Sequence, residues 1–142
     1  MQNDLLKIDS FLQKHHVLSL STTDALDLSA CNLFYVFDTI SNSFIVASSE
    51  DTIHIKNIIK NPKVAGTVVL ETKIVGKIEG IQFRGLFLPL KEENLKKLYF
   101  THFPYALVMN PKLWQIKINY FKLTDNTLGF GKKIIWQSCS EE

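Results

Sequence analysis

The stretch VLSLSTTDALDLSACNLFYVFDTISNSFIVAS (Val17–Ser48) decides the fold. Within it, VLSLST, CNLFYVF and SFIVAS are short runs rich in β-branched and aromatic residues, the texture of strands. The polar segments TDALD and DTISN separate them, too short to hold a crossover helix. Three strands in succession joined by turns pair antiparallel, so the core of this protein begins as a meander rather than as a βαβ unit.

Working outward, residues 4 to 15 place Leu5, Ile8, Leu12 and His15, with Phe11 beside them, at helical spacing behind Asn3 and Asp4 as caps. On the other side, DTIHIKNIIKN (51–61) reads as a helix capped by Asp51 and closed by Asn61-Pro62, with Ile55, Ile58 and Ile59 on one face. Strand texture resumes in VAGTVVL and in IEGIQFRGLFLPL. In the latter Ile81, Phe83 and Phe87 share one side, and Gly85 marks a bend or bulge. KEENLKKLYFTHF predicts a helix with Leu95, Leu98 and Tyr99 buried, ended by Pro104, and YALVM predicts one more helical turn. LWQIKINYF alternates with Trp114, Ile116, Ile118 and Tyr120 on one side. Strands in hairpin order with helices inserted predict a mainly antiparallel barrel or sandwich over one domain, residues 1 to 142.

Composition narrows the function. Sixteen Lys plus Arg against fourteen Asp plus Glu give a net charge of +2, spread along the chain, which argues against nucleic acid as a partner. The apolar stretches fall short of a membrane span, and MQNDLLKIDSFLQKHH has neither a basic leader nor an apolar core of the kind export signals need. The expectation is a cytoplasmic protein that does not enter a membrane. Cys31 and Cys139 read as free thiols, and the neighbours His15 and His16 point in different directions and make a poor metal pair. Spacing singles out no nucleophile triad, carboxylate pair or metal cluster.

The motif DNTLGFGKKIIW (Asp125–Trp136) has the glycines and lysines of a phosphate loop, but not its order. Asn126 occupies the position of the first glycine, Lys133 replaces the hydroxyl residue, and Ile134, Ile135 and Trp136 favour a strand over a helix. Read as a strand from 128 to 136, the segment places Gly129, Gly131, Lys133 and Ile135 on one largely bare face, which a flat ring or another chain can approach. The plain alternative is a barrel corner with solvated lysines.

The runs CNLFYVFD, FIVASSEDTIH, AGTV, GIQFRG and TDNTLGFGKKIIW together resemble a small uncharacterised bacterial family among the pyridoxamine-phosphate-oxidase-like, FMN-binding split barrels. The resemblance covers nearly the whole chain. It implies a six-stranded antiparallel split β-barrel, a homodimer, and flavin mononucleotide (FMN) in clefts between the subunits. It also assigns site residues. Ser48 matches the hydroxyl that ends the strand before the second helix, Thr52 the serine of a Ser-x-Lys phosphate motif, and His54 stands where that motif has lysine. A histidine is only partly charged at neutral pH, so phosphate binding should be weaker or depend on pH.

Asn32, on the strand that in this superfamily edges the flavin ring, would bond the ring's polar rim. Lys132 and Lys133 would wall the cleft with positive charge, across the dimer, or face a small-molecule substrate. Read without the resemblance, Thr52 and His54 are a helix cap and a polar helix face, Asn32 a strand-end residue, and Trp114 and Trp136 core or interface. Two functions follow: an FMN-dependent oxidoreductase whose chemistry belongs to the cofactor, or a non-catalytic flavin- or ligand-binding dimer, including one that has lost the cofactor.

Overall fold

In the computed structural model, which describes residues 2–129 and 131–138, Val17–Thr23 (β1), Leu28–Asp38 (β2) and Ser43–Ala47 (β3) form the expected meander. Its pairings run Val17 against Phe34 and Val36 against Ile45, both antiparallel. Lys63–Val69 (β4), Glu79–Pro89 (β5) and Leu113–Asp125 (β6) continue the sheet in the order β3-β2-β1-β4-β5-β6, and β3 pairs with β6 to close a six-stranded antiparallel barrel. The split-barrel fold implied by the resemblance is therefore the fold observed. A seventh strand, Lys133–Gln137 (β7), lies outside the ring.

Strand β6 is the spine. Its first half, from Leu113 to Lys117, pairs with β3, and its second half, from Tyr120 to Thr124, pairs with β7, while β5 runs along its other side throughout. The switch from β3 to β7 coincides with a bulge. Gly85 faces Ile118 and Arg84 faces Tyr120, so Asn119 has no partner on β5 and side-chain parity reverses there. Trp114, Ile116 and Ile118 point inward as the alternation predicts, but Tyr120 does not join them. It turns outward beneath the Arg84 guanidinium, 4.3 Å from its ring centre, and Phe121 and Leu123 take over the core face. Gly85 is required at this point, because a methyl group there would run into the backbone carbonyl of Lys117.

The barrel is filled by Leu18, Leu20, Phe37, Phe44, Phe83, Phe87 and Phe121, the aromatic rings meeting mostly edge to face. Helix Gln2–Lys14 (α1) adds Ile8, Phe11 and Leu12. It starts earlier than the expected Asn3 and Asp4 caps, so Asp4 sits in the first turn, where it suits the positive end of the helix.

Helix Ile53–Lys60 (α2) buries Ile55 and Ile58, but Ile59 is exposed. The inward place goes to Asn57, whose amide donates to the Thr22 hydroxyl at 3.0 Å. Helices Glu93–His102 (α3) and Pro104–Met109 (α4) cover the outer side of β2, β3 and the start of β6. There Leu95 and Tyr99 pack on Val36, Ile45 and Leu113, with Leu98 half-buried at the margin. Among the described residues no helix is long and apolar enough to cross a membrane.

Gly129, Gly131 and Lys132 lie outside the strand, which begins only at Lys133. Asn126–Leu128 forms a 3-10 turn, Gly129 and Gly131 have φ of 138° and 75°, and pairing with β6 starts only at Lys133. Side chains set this shape. Asp125 accepts from the Thr127 N–H, and Asn126 accepts from the Gly131 N–H, both at 2.9 Å. The common bare face expected for Gly129, Gly131 and Lys133 therefore does not form. Phe130 and Cys139 lie outside the described residues.

Candidate functional site

At the N-terminus of α2, three of the expected residues converge. The Ser48 backbone N–H donates to the Lys112 carbonyl at 3.0 Å, and the Ser48 carbonyl accepts from the Trp114 indole at 3.0 Å, which holds the chain just beyond β3. The Ser48 hydroxyl is hydrogen-bonded to Nε2 of His54, and the Thr52 hydroxyl lies 3.4 Å from the same nitrogen.

Thr52, not Asp51, caps the helix. Its backbone is extended, its hydroxyl accepts from the Ile55 N–H at 3.4 Å and donates to the Ser49 carbonyl at 2.9 Å. Asp51 instead accepts from the Ser49 hydroxyl. The reason is local: a cap acts on the N–H three residues ahead, and Ile55 is three beyond Thr52.

The electrostatics of this end are mild. Burial holds the His54 imidazole below the ordinary histidine range, which favours its neutral form. Glu50 is engaged by Lys112 at 2.8 Å, and the first turn of α2 carries no acid. The Ser48 hydroxyl and the His54 imidazole, beside a helix start, form a polar set that suits a phosphate monoester once their mutual bond opens, while the Thr52 hydroxyl donates to the Ser49 carbonyl. None of these residues is a fixed cation, and the neighbouring Lys112 ammonium is held by Glu50, 4.7 Å from the Trp114 ring centre. Asn32 lies on β2 opposite Ser19, exposed, on the same outer face as Phe34 two residues along.

Lys132 and Lys133 are elsewhere. Lys133 pairs with Thr124, whereas the Ser48 segment leaves β3 opposite Leu113. The two groups thus sit at opposite ends of β6, on the order of 30 Å apart at the rise of a strand. Beside the lysine turn, Glu79 faces Asp125 across the β5–β6 ladder. Burial, and next the Asp125 carboxylate, push the Glu79 carboxyl above its usual range, against a smaller downward pull from Lys14.

Between the two ends, on the outer face of β1, β4, β5 and late β6, strand residues alone line the surface depression among the described residues. This depression is a groove of about 250 Å³ lined by Ser19, Ser21, Thr67, Gln82, Arg84 and Tyr120. Sequence reasoning missed this face because its small polar residues look like an ordinary solvated strand side. It also missed the part Trp114 plays in fixing Ser48. Alternation marked that residue as core, which it is, but a buried indole N–H needs an acceptor, and that need was the available signal.

No family model matches the chain. A UPF0306 protein of Yersinia enterocolitica is 36% identical over 143 residues, covering 99% of this chain and 97% of the relative. Among solved structures, a Listeria innocua chain provisionally named pyridoxamine 5'-phosphate oxidase superposes with a TM-score of 0.70 at 14% identity, over 84% of this chain and 96% of that one. A FAD-binding protein of Mesorhizobium loti gives 0.68 at 14% identity, over 82% and 88%. The heme storage protein HutZ of Vibrio cholerae gives 0.67 at 16% identity, over 79% and 87%. At such identities the likeness establishes the fold, and the neighbours' names span flavin and heme.

Proposed function

The chain belongs to the UPF0306 family, and from that premise we propose that it is a homodimeric flavin-binding protein that takes FMN and acts as an oxidoreductase on a small molecule. The observation that carries the reading is the convergence of Ser48, Thr52 and His54 on the start of α2. There the Ser48 hydroxyl, His54 Nε2 and the helix N–H groups receive the phosphate, and the Thr52 hydroxyl turns from the Ser49 carbonyl to join them. Asn32, exposed on β2, bonds the polar edge of the ring. A bound flavin supplies hydride or single-electron transfer.

Lys132 and Lys133 cannot reach the same phosphate within one chain, because they lie at the far end of β6. A two-fold axis through the outer face of β1, β4, β5 and late β6 would send the lysine end of one subunit toward the Ser48 end of the other. The missing cation then comes from the partner. No group besides His54 stands among these residues to move a proton near neutral pH, which favours, as a second reading, a module that holds flavin without turnover.

One experiment separates the cases. Purified protein is titrated with FMN and followed by flavin fluorescence, then mixed with a nicotinamide donor. Binding that weakens at least tenfold in both Thr52→Ala and Lys132→Ala/Lys133→Ala supports the shared site. Bleaching with turnover supports the enzyme, binding without it the module, and no binding at all ends both.

A further inference from the structure

Helix α4 is six residues long, almost wholly apolar, and none of its residues is buried. Tyr105 is 90% exposed, Val108 84% and Met109 79%. The surface does not stop there. Phe103, immediately before the helix, packs on Phe34 with ring centres 5.6 Å apart; Phe34 is itself 60% exposed, and Val17 lies opposite it on β1. With aromatic side chains offering roughly 150–250 Å² each, the patch amounts to on the order of 600 Å² of apolar surface, at the upper limit of what a monomer leaves bare. A standard interface takes about 800 Å² from each partner, so the patch would supply the larger part of one partner's share.

A second apolar set lies at the other end of β6. Leu6, Ile74, Val75 and Leu128 are all exposed there. The Asn126 amide, donating to the Val75 carbonyl at 2.9 Å, ties the loop of Ile74 and Val75 to the lysine turn. Leu6 and Leu128 line one groove with Lys7 and Lys14. Among the described residues each chain thus exposes one apolar patch close to Ser48, whose N–H is bonded to Lys112 just beyond α4, and another beside Lys132.

We propose that in the homodimer α4 of each subunit docks on the Ile74–Val75 loop and Leu128 of its partner, so that these apolar contacts clamp the ends of the cleft. The inference rests on the two-fold arrangement proposed above and specifies which surfaces meet. The same rotation that brings Lys132 to the partner's Ser48 brings the second patch toward the partner's α4, and the contact is made twice. Apolar contact at the margins would then hold the lysines in place over the phosphate.

The test uses full-length protein with benzoylphenylalanine at position 108, irradiated and analysed by denaturing gel and peptide mass spectrometry. The expected result is a dimer-mass band whose cross-link maps to residues 71–78 or 126–129, together with at least a tenfold rise in the dimer dissociation constant of Val108→Asp/Met109→Asp by sedimentation equilibrium. Circular dichroism of that variant confirms that it folds. A wild-type dimer whose cross-links map elsewhere, or whose dissociation constant the variant leaves unchanged, overturns the docking but not the shared flavin site. A wild-type chain that stays monomeric at micromolar concentration overturns both.

Discussion

His54 is the residue on which the phosphate reading turns. Burial lowers the proton affinity of its imidazole, so the charge that would favour a phosphate grows as pH falls toward and below the ordinary histidine value near 6.5. Flavin affinity should therefore rise between pH 8 and pH 6. The gain tapers below that, where a phosphate monoester loses its own second charge near pH 6. His54→Lys should bind about tenfold more tightly at pH 7.5, the difference between a neutral and a charged hydrogen bond, and should lose the pH dependence. Superimposable wild-type titrations at pH 6 and pH 8 would leave His54 a packing residue.

The sequence named this cluster only through the resemblance. Hydroxyls at 48 and 52 and an imidazole at 54 are unremarkable as spacing, and their meeting depends on how the chain turns from β3 into α2, a tertiary fact.

At the scale of elements, texture was legible and special backbone was not. Every strand announced itself by β-branched and aromatic runs, and Gly85 was readable as a bulge because glycine interrupts an otherwise bulky alternation. The bulge's effect on β6 was not readable, since LWQIKINYF alternates without a break; the parity change is imposed by β5. Gly129 and Gly131 read as strand in the sequence because Ile134, Ile135 and Trp136 extend the assignment backward over two glycines.

The two glycine sites predict opposite failures. Gly85→Ala should cost about 3 kcal/mol or abolish folding, because the new methyl meets Lys117 backbone that cannot move. At Gly131 an added Cβ meets nothing within 4 Å outside its chain neighbours, but Gly131→Val must hold a φ of 75°, and should cost about 1–2 kcal/mol through backbone strain. Urea melts of both variants check this, and a Gly131→Val midpoint equal to wild type would contradict the left-handed turn.

For the whole molecule, two sets of groups pull the stability curve in opposite directions. His54 and His15 are held below the usual histidine range, each chiefly by burial, His15 also by His16 and Lys14. Their contribution is present above about pH 6.5 and is lost as pH falls through the folded values. Glu79 is held above the usual carboxylate range by burial and by Asp125. Its contribution is complete below its unfolded value and is lost as pH rises through the folded one. Glu79→Gln should consequently raise the melting temperature by a few degrees at pH 7.5 and by less at pH 4.5. Equal shifts at both pH values would show that the Asp125 repulsion does not operate.

One topological feature has a bearing on how the protein is made. Strands β1 to β5 can pair with one another as they leave the ribosome, but they form an open sheet bounded by β3 and β5, and both of those edges are completed by the same strand, β6. Until Leu113–Asp125 has been synthesised and released, the nascent chain carries two unpaired edges and an unsealed aromatic interior. Exposed strand edges invite pairing with other chains. The protein's exposure to misassembly is therefore concentrated in the interval before Leu113–Asp125 emerges, and closure on both sides of that one strand ends it.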